Sequence, residues 1–324
     1  MKYLLPFVYG FAGTFIVALG LILIDRKPET PTSGGLNFTE RLQRGLSALP
    51  APRGVDMRDG YALQVRALGA ADADTLFVLV HGSGWNGLQF DGLGPALAQS
   101  GRVLIPDLRG HGAEPGRRGD VDYIGQLEDD LADLIKAEAT PSQKVIVVGH
   151  SSGGGLVVRM AGGQHRDLMD GAVLLAPFLK HNAPTTRPNS GGWAQVRTKR
   201  IIGLSILNTF RIRVLNHLPI IHFAMPDSVT NGPIGHLATT EYSYRLNTSF
   251  APRSNYTADI AALPPFALVV GAEDEAFFAA EYEPLMSVHS DVGRYVIVDG
   301  ENHLGVVDAA RTLDEIRDFA ESIR

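Results

Sequence analysis

The chain has 324 residues, of which 45% are hydrophobic and 20% are charged, the balance of an ordinary globular protein. The net charge is −6, and no basic tract or nucleic-acid-binding motif occurs, so nucleic acid is not an expected partner. The absence of cysteine from the sequence excludes a cysteine nucleophile, a thiolate metal site and disulfide bonds.

The N-terminal segment is strongly apolar. Residues 4–24 carry no charge over 21 positions, and a helix of that length spans roughly 30 Å, the thickness of a bilayer core. The run exceeds the apolar region of a usual signal peptide, and no A-x-A-like cleavage site follows it. The pattern predicts a single-pass transmembrane anchor and a membrane localisation, with a signal peptide as the alternative. The side of the membrane that the rest of the chain occupies stays open.

Two further segments precede the main pattern. Residues 25–50 are rich in proline, glycine, threonine and charge, which predicts a linker. Residues 54–68 contain two alternating runs joined by Asp59-Gly60, a pattern typical of a β-hairpin.

A repeated alternation of strands and helices follows. Short apolar runs predict strands, and helical spacing or helix-start signals predict helices between them. The predicted strands are 75–80, 103–106, 144–148, 171–176, 266–270 and 295–298, and the predicted helices include 92–100, 123–139 and 312–323. This order predicts an α/β fold with a mostly parallel central sheet covered by helices on both faces. In such a sheet, ligands bind beyond the carboxyl ends of the strands.

The alternation is interrupted between residues 179 and 263. This stretch is too long for a plain connection and is better interpreted as an inserted lid, or cap. The core would then comprise residues 51–178 and 264–324.

A candidate nucleophile lies directly after the strand at 144–148. Gly149-His150-Ser151-Ser152-Gly153 fits the pattern G-x-S-x-G between a buried strand and a helix. Ser151 would sit at the apex of a sharp turn, and Gly149 and Gly153 would leave room for the neighbouring backbone. A phosphate-binding loop is the alternative, but neither of the usual glycine-rich phosphate patterns is present.

A serine nucleophile needs a base and an acid that orients the base. Three adjacent carboxylates follow the strand at 266–270; Asp274 is the preferred acid, Glu275 the runner-up and Glu273 the least favoured. His303 follows the last strand and is the expected base.

The oxyanion formed during acyl transfer needs two backbone N–H donors. One would come from Ser152, which follows the nucleophile, and the other from Ser83, with Gly82 supporting the loop after the strand at 75–80.

Several motifs in order make the sequence resemble the α/β-hydrolase family. They are HGSGW at 81–85, DLRGHG at 107–112, GHSSGG at 149–154, GAED at 271–274 and GENH at 300–303. The stretch GHGAEPGRRGDVDYIGQLEDDL is similar to the monoacylglycerol lipase and lysophospholipase branch, the serine-aminopeptidase-like hydrolases. The resemblance implies an ester hydrolase for lipophilic acyl chains with a lid, and structural roles for Asp107 and His111.

The predicted lid has an unusual charge distribution. Residues 171–225 contain seven basic residues and no acidic residue, although the whole chain is acidic. A basic, apolar helix at 200–218 could lie on an anionic lipid surface, or it could pack its apolar face over the active site.

These features predict a membrane-anchored serine hydrolase that cleaves carboxylic esters, with a small-molecule or lipid ester as substrate. Its mechanism needs neither a metal nor an organic cofactor. A peptidase or amidase with the same residues is one alternative, and a non-catalytic, membrane-tethered binding protein on the same fold is another.

Overall fold

The computed structural model describes residues 4–26, 35–45 and 47–323, and the side chains of residues 4–11 lie outside that description. Residues 27–34 and 46 of the predicted linker also lie outside the described residues. The strands are β1 (Arg53–Asp56), β2 (Ala62–Leu68), β3 (Thr75–Val80), β4 (Arg102–Asp107), β5 (Lys144–His150), β6 (Gly171–Leu175), β7 (Ala194–Val196), β8 (Pro219–Phe223), β9 (Glu241–Ser243), β10 (Phe266–Gly271) and β11 (Gly293–Val298). The α-helices are α1 (Leu4–Ile24), α2 (Thr39–Arg44), α3 (Leu93–Leu97), α4 (Gln126–Glu138), α5 (Ser152–Ala161), α6 (Thr198–Thr209), α7 (Asp227–Thr230), α8 (Tyr244–Phe250), α9 (Tyr256–Ala261), α10 (Tyr282–Met286) and α11 (Ala310–Ser322).

The central sheet has the order β1-β2-β4-β3-β5-β6-β10-β11. Neighbouring strands from β4 to β11 pair in parallel, so their carboxyl ends meet at one edge. Strands β3 and β5 are buried nearly throughout, as continuous apolar runs in a two-sided parallel sheet require. The predicted α/β fold with a mostly parallel sheet is confirmed.

The hairpin predicted before the parallel strands is also confirmed. Strands β1 and β2 pair antiparallel, with Val55 opposite Leu63. Gly60 in the turn has a φ of 80°, a conformation that glycine adopts without strain. Strand β2 then pairs antiparallel with β4 and attaches the hairpin to the edge of the sheet.

The insertion between β6 and β10 carries a small sheet of its own. Strands β7, β8 and β9 pair antiparallel, and α6 and α8 pack against them. The predicted helix over 200–218 ends early, because α6 stops at Thr209 and Arg211 takes a φ of 60°. The sequence did not predict the strands of this small sheet, which are only three to five residues long.

The N-terminal apolar run forms helix α1, which packs against α6. Ala18 and Ile22 are buried in this contact, and a Cβ added at Gly203 would lie 2.5 Å from the Ala18 carbonyl oxygen. Glycine at this position therefore allows the two helices to approach closely. Asp25 continues the contact, since its carboxylate accepts a hydrogen bond from the Arg200 N–H at 2.6 Å.

The transmembrane anchor predicted for residues 4–24 is not supported. Among the described residues, no helix is both long and apolar enough to cross a bilayer. Residues 15–22 of this apolar run lie in helix α1, and one side of that helix packs against the rest of the protein.

Candidate active site

The loop after β5 holds Ser151 in a strained conformation. Ser151 has a φ of 54° and a ψ of −120°, outside the regions that a non-glycine residue normally occupies. Its N–H donates to the Leu175 carbonyl at 2.9 Å, and its carbonyl accepts the Phe178 N–H at 2.9 Å. The end of β6 thus fixes the turn, and helix α5 begins at Ser152 immediately afterwards.

The glycines beside Ser151 provide clearance for this turn. A Cβ on Gly149 would lie 2.5 Å from the Gly153 carbonyl oxygen, and one on Gly153 would lie 2.2 Å from the Val80 carbonyl oxygen. Both distances are shorter than a carbon atom tolerates. Any side chain at either position would push the loop away from β3 or away from α5.

The residues predicted as base and acid are in contact. The Nδ1 atom of His303 lies 2.8 Å from Oδ2 of Asp274, and each residue is only 1% exposed. The other oxygen of Asp274 accepts the N–H groups of Ala276 and Phe277, both at 2.8 Å. Three hydrogen bonds therefore hold the carboxylate in place, and the Phe277 ring packs edge-on against the imidazole at 5.3 Å.

Glu275, the alternative acid, contacts a different part of His303. Its Oε2 accepts the backbone N–H of His303 at 3.0 Å, and its Oε1 accepts the N–H of Asn37 at 3.0 Å. Glu275 thus connects the His303 loop to the N-terminal segment. Sequence reasoning did not find this role, because it depends on a residue more than two hundred positions away.

The loop after β3 lies directly beside the nucleophile. A Cβ on Gly82 would lie 3.2 Å from the Ser151 Cβ and 3.1 Å from Nδ1 of His150. The Gly82 N–H donates to Oε1 of Gln89 at 2.8 Å, and the amide nitrogen of Gln89 contacts His150 Nδ1. This places the Ser83 peptide next to Ser151, where the sequence predicts an oxyanion donor.

The cap holds the same loop from the other side. Gly84 donates its N–H to the Tyr242 hydroxyl at 2.6 Å, and its carbonyl accepts the Thr239 N–H at 3.0 Å. The Trp193 indole N–H donates to Oγ of Ser83 at 3.2 Å. Three cap residues therefore position the loop, and nothing in their local sequence pattern predicted this.

Buried histidines around the site are held in their neutral form. Leu108 donates its N–H to Nε2 of His81 at 3.1 Å, which leaves Nδ1 to donate to the Gly82 carbonyl at 2.9 Å. Burial lowers the pKa of His81 to about 4. Burial also lowers the pKa of His111, whose Nε2 lies 2.6 Å from the Tyr242 hydroxyl, and that of His150.

Ser151, His303, Gly82 and Ser83 all line one pocket. The remaining lining is largely apolar or aromatic, with Leu36, Phe38, Trp85, Trp193 and Leu304 among its residues. Gly149 and Gly153 flank Ser151 in the turn and are not among the residues that line the pocket. In the part of the chain that the structure describes, no cluster of His, Asp and Glu side chains could hold a metal ion.

Comparisons with known proteins point to hydrolases. The family model described as serine aminopeptidase, S33, matches residues 71–245. An uncharacterized protein of Mycobacterium tuberculosis is 32% identical over 117 residues, which are 36% of this chain and 32% of that protein. The chain therefore spans about a third of the length of these curated relatives.

Solved structures share the fold at low identity. A putative aryl esterase from Burkholderia cenocepacia superposes with a TM-score of 0.59 at 19% identity, covering 83% of this chain and 98% of that one. The monoacylglycerol lipase of Paleococcus ferrophilus gives a TM-score of 0.59 at 19% identity, with coverages of 81% and 98%.

The buried histidines predict that the free energy of unfolding decreases between pH 7 and pH 5. In the unfolded chain His81 binds a proton near pH 6.5, whereas in the folded chain it stays neutral down to about pH 4. The unfolded state therefore binds more protons in this range, and the folded state loses about 2 kcal/mol from His81 alone. Urea unfolding at pH 7, 6 and 5 measures this loss.

A pair of variants assigns the effect. His81→Gln should flatten the pH dependence, because the amide does not titrate, while the same change at the exposed His289 should leave it unaltered. Equal slopes in wild type and His81→Gln would contradict the prediction.

Proposed function

The chain belongs to the serine aminopeptidase S33 family of hydrolases, and from that premise we propose that it is a serine hydrolase that cleaves carboxylic esters. The observation that carries the proposal is the hydrogen bond between Asp274 and His303. His303 lines the same pocket as Ser151, which lies in the strained turn. A non-catalytic binding protein would not need a buried acid and imidazole paired at that place.

In the proposed mechanism, Ser151 attacks the ester carbonyl and His303 accepts its proton. Asp274 keeps the proton of Nδ1 on the side away from the reaction and stabilises the imidazolium. The N–H groups of Ser83 and Ser152 bind the oxyanion; Ser152 opens helix α5, so its N–H is not used within the helix. Proton return from His303 releases the alcohol, and water then hydrolyses the acyl-enzyme by the same steps.

The pocket supports a lipophilic acyl ester as the substrate class. Its lining includes a phenylalanine, two tryptophans and two leucines, and Arg41 and Asp308, which also line it, are paired with acidic and basic partners respectively. An apolar acyl chain would therefore displace water without leaving a charge unpaired. A peptidase would use the same residues but deliver the His303 proton to a leaving amine.

The first test compares the two adjacent serines on p-nitrophenyl esters and on matched arylamides. Ser151→Ala should lower kcat/KM at least ~10³-fold, because the nucleophile is lost. Ser152→Ala should keep the rate within about threefold, because the backbone N–H remains. Equal loss in both variants would refute the assignment of Ser151, and cleavage of arylamides alone would favour the peptidase.

Tyr242 provides a second test, because its hydroxyl accepts the Gly84 N–H in the proposed oxyanion loop. Tyr242→Phe removes the acceptor for the Gly84 N–H, and kcat should decrease about tenfold with KM nearly unchanged. The control is Tyr244→Phe, which breaks a cap hydrogen bond to Ser205 of 3.0 Å. A decrease in kcat no larger than in this control would contradict a positioning role for Tyr242.

We also propose that α1 and the α6 region contact a lipid surface. Their outer sides expose apolar side chains, including Leu23 at 82% and Val214 at 75%. Lys199, Arg211 and Arg213 are exposed beside them, and no acidic residue occurs between 171 and 225. Apolar contact together with basic charge suits an anionic membrane, at roughly 1 kcal/mol for each basic residue near the surface.

Sedimentation with vesicles tests this contact. The chain should bind vesicles that contain phosphatidylserine and bind less well at high salt. Val214→Glu should weaken binding about tenfold, whereas Val288→Glu, at a site equally exposed at 73%, should not. Equal effects of the two substitutions, or no binding to anionic vesicles, would refute the proposed surface.

A further inference from the structure

A short N-terminal segment forms one wall of the active-site pocket. We call the described residues from Gly35 to Arg44, with Ser47, the strap. Leu36, Phe38 and Arg41 line the same pocket as Ser151 and His303. The strap precedes the hairpin that begins the predicted core, and it lies outside the stretch matched by the family model. The pocket therefore takes one of its walls from a segment that precedes the hairpin.

Backbone hydrogen bonds fix the start of the strap. Gly35 donates its N–H to the Gly191 carbonyl in the cap at 2.8 Å. Asn37 donates its N–H to Glu275 at 3.0 Å, and the second oxygen of that carboxylate accepts the N–H of His303 at 3.0 Å. The strap is thus two hydrogen bonds away from the loop that carries the base.

A group of charges fixes the end of the strap. The fully buried carboxylate of Asp91 accepts hydrogen bonds from Arg41 at 2.6 Å, from Arg44 at 2.8 Å and from the Ser47 N–H at 2.6 Å. Arg44 also pairs with Asp308 at 2.7 Å. A buried carboxylate without these partners would be strongly unfavourable, so the structure favours the closed position of the strap.

Phe38 is the part of the strap that closes the pocket. Its ring lies 5.7 Å from the Trp85 ring and 5.9 Å from the Trp193 ring, and the residue is only 5% exposed. Trp85 follows the predicted oxyanion loop, and Trp193 donates to Ser83 within that loop. The pocket contains about 480 Å³ of space between its atoms, with the open solvent at its mouth included.

We propose that Phe38 determines the length of the acyl group that reaches Ser151. The inference rests on the proposed ester hydrolysis and specifies its substrate. Phe38 packs against two tryptophans next to the oxyanion loop, so its ring occupies volume that a longer acyl chain would need. Esters of short and medium acyl chains then fit the closed pocket, while long chains collide with the strap.

The test is a series of p-nitrophenyl esters with acyl chains from acetate to decanoate. Phe38→Ala should raise the ratio of kcat/KM for decanoate to that for acetate about tenfold or more. Phe38→Trp should lower the same ratio, because a larger ring leaves less space in the pocket. Loss of fold would reduce hydrolysis of every ester in both variants and would not shift the ratio in opposite directions. Leu42→Ala is the matched control, since Leu42 lies on α2 of the strap and is 43% exposed.

The outcomes separate this inference from the proposed function. Hydrolysis that depends on Ser151, with equal chain-length ratios in wild type and in both Phe38 variants, overturns the inference and leaves the function standing. A parallel series of alkyl fluorophosphonates, which label a reactive serine without ester turnover, reads pocket size directly. A shift in labelling by chain length in Phe38→Ala supports the inference even where no ester is hydrolysed. A chain-length effect of Phe38→Ala that appears only with esters varied in their alcohol group, and not in the acyl series, overturns it.

Discussion

The close approach of three backbone segments at the end of β5 is the constraint on which the site depends. The Val80 carbonyl would lie 2.2 Å from a Cβ at Gly153, and the turn itself would not close around a Cβ at Gly149. A non-glycine residue with a positive φ costs about 1–3 kcal/mol, so Ser151 keeps its conformation only because its neighbours fix it. Hydrogen bonds to both sides of its peptide, from β6 and the segment after it, provide that support.

Sheet topology then brings together groups that are distant in the sequence. Strands β3, β5, β10 and β11 run parallel, so their carboxyl ends deliver the Ser83 loop, Ser151, Asp274 and His303 to one edge. These loops can be short, because the register of the strands already sets the distances between the strand ends. The buried neutral histidines fill the space beneath, where a charged side chain would be costly.

Local sequence patterns predicted the sheet, its strand ends and the residues that follow them. These features depend on runs of apolar residues and on turn residues, which are visible in neighbouring positions of the sequence. The choice between Asp274 and Glu275 was not local. It depends on how the loop after β10 rotates relative to His303, and the structure assigns one carboxylate to the imidazole and the other to the backbone. The packing of α1 was not predicted either, because the composition of residues 4–24 does not show that Ala18 and Ile22 lie against α6.

Other residues that contact the site lie in segments whose local sequence pattern does not predict such a contact. Tyr242 reaches the Gly84 peptide from the cap, and Asn37 reaches the His303 loop through Glu275. The first contact is a hydrogen bond to the loop after β3, and the second reaches the loop after β11 through a carboxylate. A movement of the cap therefore changes the hydrogen bonds of the first loop, and a movement of the strap changes those of the second. Because Gly35 of the strap is bonded to Gly191 of the cap, one segment cannot leave the pocket without disturbing the other. Access to Ser151 and the geometry of the proposed oxyanion donors are therefore coupled in this molecule.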